Sequence, residues 1–263
     1  MRNPKRTYIW LCEAMLACTF PWITLPQAHA EEALFVPRLA EEIQLDGLSD
    51  EPAWQGIAPL PLVMREPVFQ GAPTERTEIR LAYDKDYFYV AARCYDSAPS
   101  HIQTLSLERD GVGPTNDAIY FILDTFDDQE NALAFGTTPA GIRGDFVVFD
   151  DAQGDMPIDV TWNAFWDVAV ARSDSGWSAE FRLPYSSLRF REEEGRVKMG
   201  FSIMRHIPRK NEWITFPAIP TKWGFWGMFK PSIAQELVFG DVHSRNPVYL
   251  TPYTLNGLGQ SFA

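Results

Sequence analysis

The sequence predicts an all-β fold, an antiparallel β-sandwich of jelly-roll or immunoglobulin-like type, and three observations carry that prediction. Almost every apolar stretch alternates with period two, turn-forming clusters separate these stretches, and no run of twelve residues holds a helical apolar stripe. About ten short strands at near-regular spacing are the pattern of a sandwich or jelly roll.

The strands follow in order. "TEIRLAY" (77–83) puts Ile79, Leu81 and Tyr83 on one face and Glu78 and Arg80 on the other. "DKD" (84–86) makes a tight polar turn, and "YFYVAARCYD" (87–96) returns with Phe88, Val90, Ala92 and Cys94 aligned, so the pair reads as a hairpin. Further strands are expected at 117–126, 131–137, 142–149, 165–172, 176–183, 197–205, 212–216 and 234–239. Between them stand "TPAG", "DDAQGD", "SDSG" and "REEEG", rich in Gly, Pro and Asp.

The ends read differently. Arg2, Lys5 and Arg6 precede an apolar run from Tyr8 to Leu25, and "AHA" (28–30) offers a small-residue cleavage site, so residues 1–30 are expected to be a secretory signal peptide. A second reading cleaves at "MLAC" and lipidates Cys18. Residues 31–42 look like a loose leader, and residues 241–263 like an extension opening into one more extended segment.

Without residues 1–30 the chain keeps 20 basic against 34 acidic residues. That balance argues against nucleic acid or an anionic membrane as a partner, because both need positive charge. Cys94 then stands alone, ruling out an internal disulfide, and its alternating segment suits a small buried hydrophobe.

The aromatic residues raise the functional question. Trp166 shares its strand face with Val168 and Val170, and Trp177 with Ala179, Phe181 and Leu183, so both are expected in the core, as is Trp54 in "DEPAWQG". Trp162 precedes its strand in the polar loop "DMPIDVTWN", where no alternation claims it; it either meets a ligand or closes one end of the sandwich. In "KWGFWGMF" (222–229) Gly224 and Gly227 break the alternation around Trp223 and Trp226. Such a loop is either a stacking surface for the C–H face of a sugar or a core plug.

Catalytic signatures are few. The sequence holds no G-x-S-x-G, P-loop, H-E-x-x-H or C-x-x-C, and His101, His206 and His243 are far apart. No acid/base carboxylate pair stands out among the many acidic residues. The oxygen-rich turns "DTFDD" (124–128) and "FDDAQGD" (149–155) could hold calcium but do not match the twelve-residue calcium loop. No other cofactor is expected.

Several segments then resemble one family in its usual order: "IQLDGLSDEPAW" (43–54), "TEIRLAYDKDYFYVAARCYD" (77–96), "NDAIYFILDTF" (116–126) and "GWSAEFRLPYSSLRF" (176–190). They are similar to the family-nine carbohydrate-binding modules, over roughly residues 38–240. "LERD", "DTFDDQENALAFGTTPAGIRGD", "TWNAFWDVAV" and "MRHIPRKNEWITF" look like a bacterial subgroup in which the module precedes a β-barrel-like outer-membrane domain. The resemblance implies a module at 43–240, an exported protein of the periplasm or outer membrane, and residues 241–263 as the first part of a barrel domain.

The family's sugar binders sandwich a terminal sugar between two tryptophans. One lies three residues before the Asp that matches Asp117, and that position is Pro114 here. The second lies shortly before the last strand, where Trp223 or Trp226 could stand in. The expectation is therefore a non-catalytic module that binds carbohydrate through Trp162, Trp223 and Trp226, with Arg109, Asp110 and Asn116 as hydrogen-bonding partners. Its rivals are an adaptor for an outer-membrane β-barrel protein and, last, a glycoside hydrolase.

Overall fold

The computed structural model describes residues 32–243. The expectations for residues 1–30 and for the extension beyond His243 lie outside the described residues.

The described chain folds as a β-sandwich of fourteen strands with one short helix, α1 (Pro52–Gln55). The strands are β1 (Leu34–Phe35), β2 (Val63–Glu66), β3 (Thr77–Tyr83), β4 (Tyr87–Tyr95), β5 (Ala118–Asp124), β6 (Ala132–Thr137) and β7 (Arg143–Val148). They continue as β8 (Ile158–Asp159), β9 (Asp167–Ser173), β10 (Gly176–Pro184), β11 (Glu192–Glu193), β12 (Arg196–Ile207), β13 (Glu212–Phe216) and β14 (Gln235–Gly240). The ten strands expected from alternation are all present. The four additional ones, β1, β2, β8 and β11, have two to four residues each, too few to show a period.

The larger sheet runs β1-β14-β12-β5-β6-β7-β8, with β11 and β13 also paired to β12 and β2 paired to β13, and the smaller runs β3-β4-β10-β9. Only β1 pairs in parallel, with β14, so residues 34–36 are tied to the sheet rather than loose. Strand β12 is the spine. On one side Arg196–Phe201 pairs with β14 and Ile203–Ile207 with β13; on the other, Arg196–Val197 pairs with β11 and Gly200–His206 with β5.

The main core lies between the sheets. Phe121 stacks on Phe135 at 5.4 Å and meets Phe181 edge-on at 5.1 Å, while Trp166 stacks on Phe181 at 5.8 Å. Trp166, Trp177 and Trp54 are all buried, and burying each indole stabilises the fold by about 2–3 kcal/mol. Cys94 is buried and free.

A second layer covers the outer face of the large sheet. Every residue of β5 is buried, because Ile119, Phe121 and Leu123 face the smaller sheet while Tyr120 and Ile122 lie beneath Met228 and Phe229. The outer face of the small sheet is closed by the loop "LDGLSDEPAW". There the buried Glu180 carboxylate accepts the backbone N–H groups of Asp46 (3.2 Å) and Gly47 (2.9 Å) and Nε1 of Trp54 (3.1 Å). Gly47 has φ +87°, and a Cβ there would come within 2.8 Å of the Val170 backbone.

Candidate functional site

The candidate residues fall into two groups. The first is the segment between β13 and β14. Proline at 217, 220 and 231 and glycine at 224 and 227 prevent a strand, and the chain instead takes short helical turns at Thr221–Trp223, Trp226–Phe229 and Pro231–Ile233. Its inner residues act as a plug. Phe229 meets Tyr120 at 6.3 Å and Phe146 at 5.5 Å, and Met228 is buried beside it. Lys230 forms an ion pair with Asp151, which also accepts N–H (3.0 Å) and Oγ–H (2.9 Å) bonds from Ser232.

The outer residues face water. Trp223 is 37% exposed and Phe225 46% exposed, while Trp226, next to Phe225, is half-buried. Phe225 is held by the rings of Trp213 (5.8 Å), Trp226 (5.3 Å) and Phe229 (5.7 Å). Gly224 has φ +64°, and a Cβ at Gly227 would lie 2.6 Å from Cβ of Trp223, so both glycines are required by the turn. From below, the buried Arg65 of β2 donates to the Gly224 carbonyl at 2.5 Å and forms an ion pair with Glu66. Burial lowers the pKa of Arg65, and Glu66 partly restores it. Lys222 Nζ stands 4.5 Å from the centre of the Trp223 ring. The segment thus plugs the outer layer at Met228 and Phe229 and leaves Trp223 and Phe225 exposed.

The second group gathers around Asp145 on β7. Its buried carboxylate receives the Arg109 guanidinium and the backbone N–H of Ala164 (2.5 Å), while Arg109 Nε donates to Asn163 at 2.8 Å. Burial raises the carboxyl pKa of Asp145 above the usual range, against the Ala164 hydrogen bond and the Arg109 charge. Asp110, at φ +64°, accepts the Asp145 N–H at 3.3 Å. Trp162 is half-buried and meets the Phe135 ring edge-on, with ring centres 6.1 Å apart.

These groups lie on opposite faces of the large sheet: Trp162 packs on Phe135 of the inter-sheet core, whereas Trp223 and Trp226 sit over the outer layer of Tyr120, Phe146 and Phe229. They do not converge on one ligand. Asn116 joins neither group. Its buried side chain accepts the Leu105 N–H at 2.6 Å and donates to the Gly111 and Gly113 carbonyls, holding its own loop in place, because a short amide inside a loop finds backbone partners first.

The acidic turns are engaged internally as well. Asp124 accepts N–H bonds from Phe126, Asp128 and Gln129, and Asp151 is held by Lys230 and Ser232. Among the described residues no cluster of three or more His, Cys, Asp or Glu forms a metal site. His206 stacks on Trp213 at 4.0 Å, and burial lowers its pKa to about 4. Sequence reasoning missed Phe225, although it stands inside the aromatic cluster. It also missed Arg65, Asn163 and Asp145, which no local pattern marks.

No family model and no curated protein matches the chain. Solved structures resemble its fold. A family-9 carbohydrate-binding module from Caldicellulosiruptor kristjanssonii in complex with glucose aligns with TM-score 0.54 and 15% identity over 82% of this chain and all of its own. A second structure of such a module from that organism, in complex with cellotriose, aligns with TM-score 0.52 and 15% identity over 84% of this chain and all of its own. A Bacteroides uniformis protein described as carbohydrate-binding gives TM-score 0.60 and 10% identity over 80% of this chain and all of its own. The fold is family-nine-like.

Proposed function

We propose that this chain is a non-catalytic carbohydrate-binding module that stacks a sugar ring on the surface made by Trp223 and Phe225, supported by Trp226. The observation that carries the reading is the exposure of two large aromatic rings, at 37% and 46%, on a turn anchored from beneath by Arg65 and by three further rings. A pre-set aromatic surface loses little entropy on binding, and its π face matches the C–H face of a pyranose. Lys222, with Nζ 4.5 Å from the centre of the Trp223 ring, supplies a donor beside it. Trp162 packs instead against the inter-sheet core, and Arg109 is engaged by Asp145 and Asn163.

The family-nine-like fold supports a sugar ligand, and glucose and cellotriose, present in two similar structures, are the first to try. Residues 1–30 are part of the same reading as an export signal, which would put the module in the periplasm or at the outer membrane. Its link to a barrel partner rests on the sequence resemblance alone.

The test is a glycan screen covering soluble and insoluble polysaccharides, followed by titration of the hits against Trp223→Ala and Trp162→Ala. The expected result is binding that Trp223→Ala weakens by about fivefold or more and Trp162→Ala leaves within twofold. No retention on any glycan by the folded wild-type protein would overturn the reading.

A further inference from the structure

The long strand β12 changes partners along one side. It pairs with β11 through Arg196 and Val197 and with β5 from Gly200 onward, leaving Lys198 and Met199 between the two ladders. At this junction the turn after β5 and the chain from Arg191 to Lys198 border the same space. They open a groove of about 700 Å³, within the size range of small-molecule sites.

One wall is a rigid turn. The Asp124 carboxylate, 1% exposed, accepts the N–H groups of Phe126 (3.3 Å), Asp128 (3.2 Å) and Gln129 (2.7 Å). Three N–H hydrogen bonds accepted by one buried carboxylate fix the backbone, and the turn they fix holds Phe126 45% exposed at the groove. An apolar ring is not placed in water by a loose tip here but by a locked one.

The other walls carry both signs of charge. Arg191, Arg196 and Lys198 face Asp127, Glu193 and Glu194, so the ionic lining is neutral in sum. Lys198 is paired with Glu236 at 2.9 Å, and Arg191 approaches Glu193 at only 3.7 Å. Guanidinium and carboxylate groups each bridge two neighbouring hydroxyls, and a lining without net charge favours a neutral ligand over an anion.

We propose that this groove is a second glycan site, taking a neutral oligosaccharide with one ring on Phe126 and its hydroxyls bound by Arg191, Arg196 and Glu193. It rests on the reading of the chain as a carbohydrate-binding module but not on the Trp223 surface, which is a separate segment.

The experiment titrates the full chain with cellotriose and xylotriose by calorimetry and ligand-observed NMR, in the wild type and in Phe126→Ala, Arg196→Gln, Trp223→Ala and Phe126→Ala/Trp223→Ala. Phe126 and Arg196 are at the surface, so circular dichroism should be unchanged. The expected result is residual sugar binding in Trp223→Ala that Phe126→Ala weakens by about fivefold or more, as loss of one stacking contact should. Arg196→Gln should weaken the same event. Loss of all binding in Trp223→Ala, with Phe126→Ala equal to wild type, would overturn the second site and leave the module reading intact. Silence of the wild type toward both sugars and all neutral polysaccharides would overturn both. A change in self-association or peptide binding on Phe126→Ala, with sugar binding unmoved, would make the groove a protein contact and also overturn the proposal.

Discussion

Arg65 donates a hydrogen bond of 2.5 Å to the carbonyl of Gly224, joining a guanidinium that is almost fully buried to the turn that displays Trp223 and Phe225. The pairing is costly in one direction. Arg65 Nε has no hydrogen-bond partner, and its ion-pair partner Glu66 is 40% exposed, so the lost hydration is only partly returned. Arg65→Met should therefore change global stability little, by less than about 1 kcal/mol. It should nevertheless release the turn. Hydrogen exchange in residues 221–229 should accelerate, and glycan affinity should fall while the thermal midpoint holds. A large drop in that midpoint with slow exchange in the turn would show that Arg65 serves the core instead.

The tryptophans should separate by environment. Trp166, 2% exposed and stacked on Phe181, should cost about 3–5 kcal/mol on change to alanine, from lost burial and the cavity left behind. Trp223→Ala should stay within about 0.5 kcal/mol of wild type, as surface changes generally do, and act on ligand binding alone. Chemical denaturation of both variants checks the contrast.

Gly47→Ala should destabilise by about 2 kcal/mol, because a side chain at φ +87° is strained and its Cβ would press on the Val170 backbone. For a domain of this size that is roughly 6 °C in Tm. Gly56→Ala is the control: a Cβ there meets nothing within 4 Å, and its φ is negative. Equal midpoints for the two variants would contradict the close approach.

His206 makes stability depend on pH with a defined sign. Burial lowers its folded pKa to about 4, whereas the unfolded ring titrates at its ordinary 6.5. Between these values the unfolded chain takes up a proton that the folded chain refuses, so stability present above pH 6.5 is lost as the pH falls toward 4. His206→Phe keeps a ring against Trp213 and should flatten the curve between pH 6.5 and 5. Glu75 acts lower. Burial alone would raise its pKa, but hydrogen bonds from Lys210, Ser97 and Arg209 hold it at about 2, so its contribution fades between about pH 4.5 and 2. Thermal midpoints of wild type and His206→Phe from about pH 8 down to 2 are the measurement.

Much of this was legible before any coordinates. Alternation located β3, β4, β9 and β10 because each has one face in the core and one toward water or a covering loop. The unbroken apolar run "AIYFIL" in β5 was itself a sign of burial on both faces, and it was read only as a strand. The motif "DGLSDEPAW" was recognisable as a unit, but its reason, the Glu180 carboxylate more than 120 residues away, was not. The backbone partners of Asn116 are not legible either, because a loop asparagine looks the same in sequence whether its amide faces solvent or its own backbone.

The sequence by itself determined the fold class, the ten longer strands and the burial of Trp54, Trp166 and Trp177. These follow from a period of two, which a strand writes into its neighbouring residues as it passes between core and water. Only the tertiary structure decided that Trp162 and Trp223 lie on opposite faces, that "KWGFWGMF" buries Phe229 and leaves Trp223 exposed, and that Phe126 borders a groove. Those outcomes depend on which segment crosses which face. That choice is set by contacts such as Arg65 to Gly224, between residues 159 positions apart, and leaves no trace in the local pattern of either.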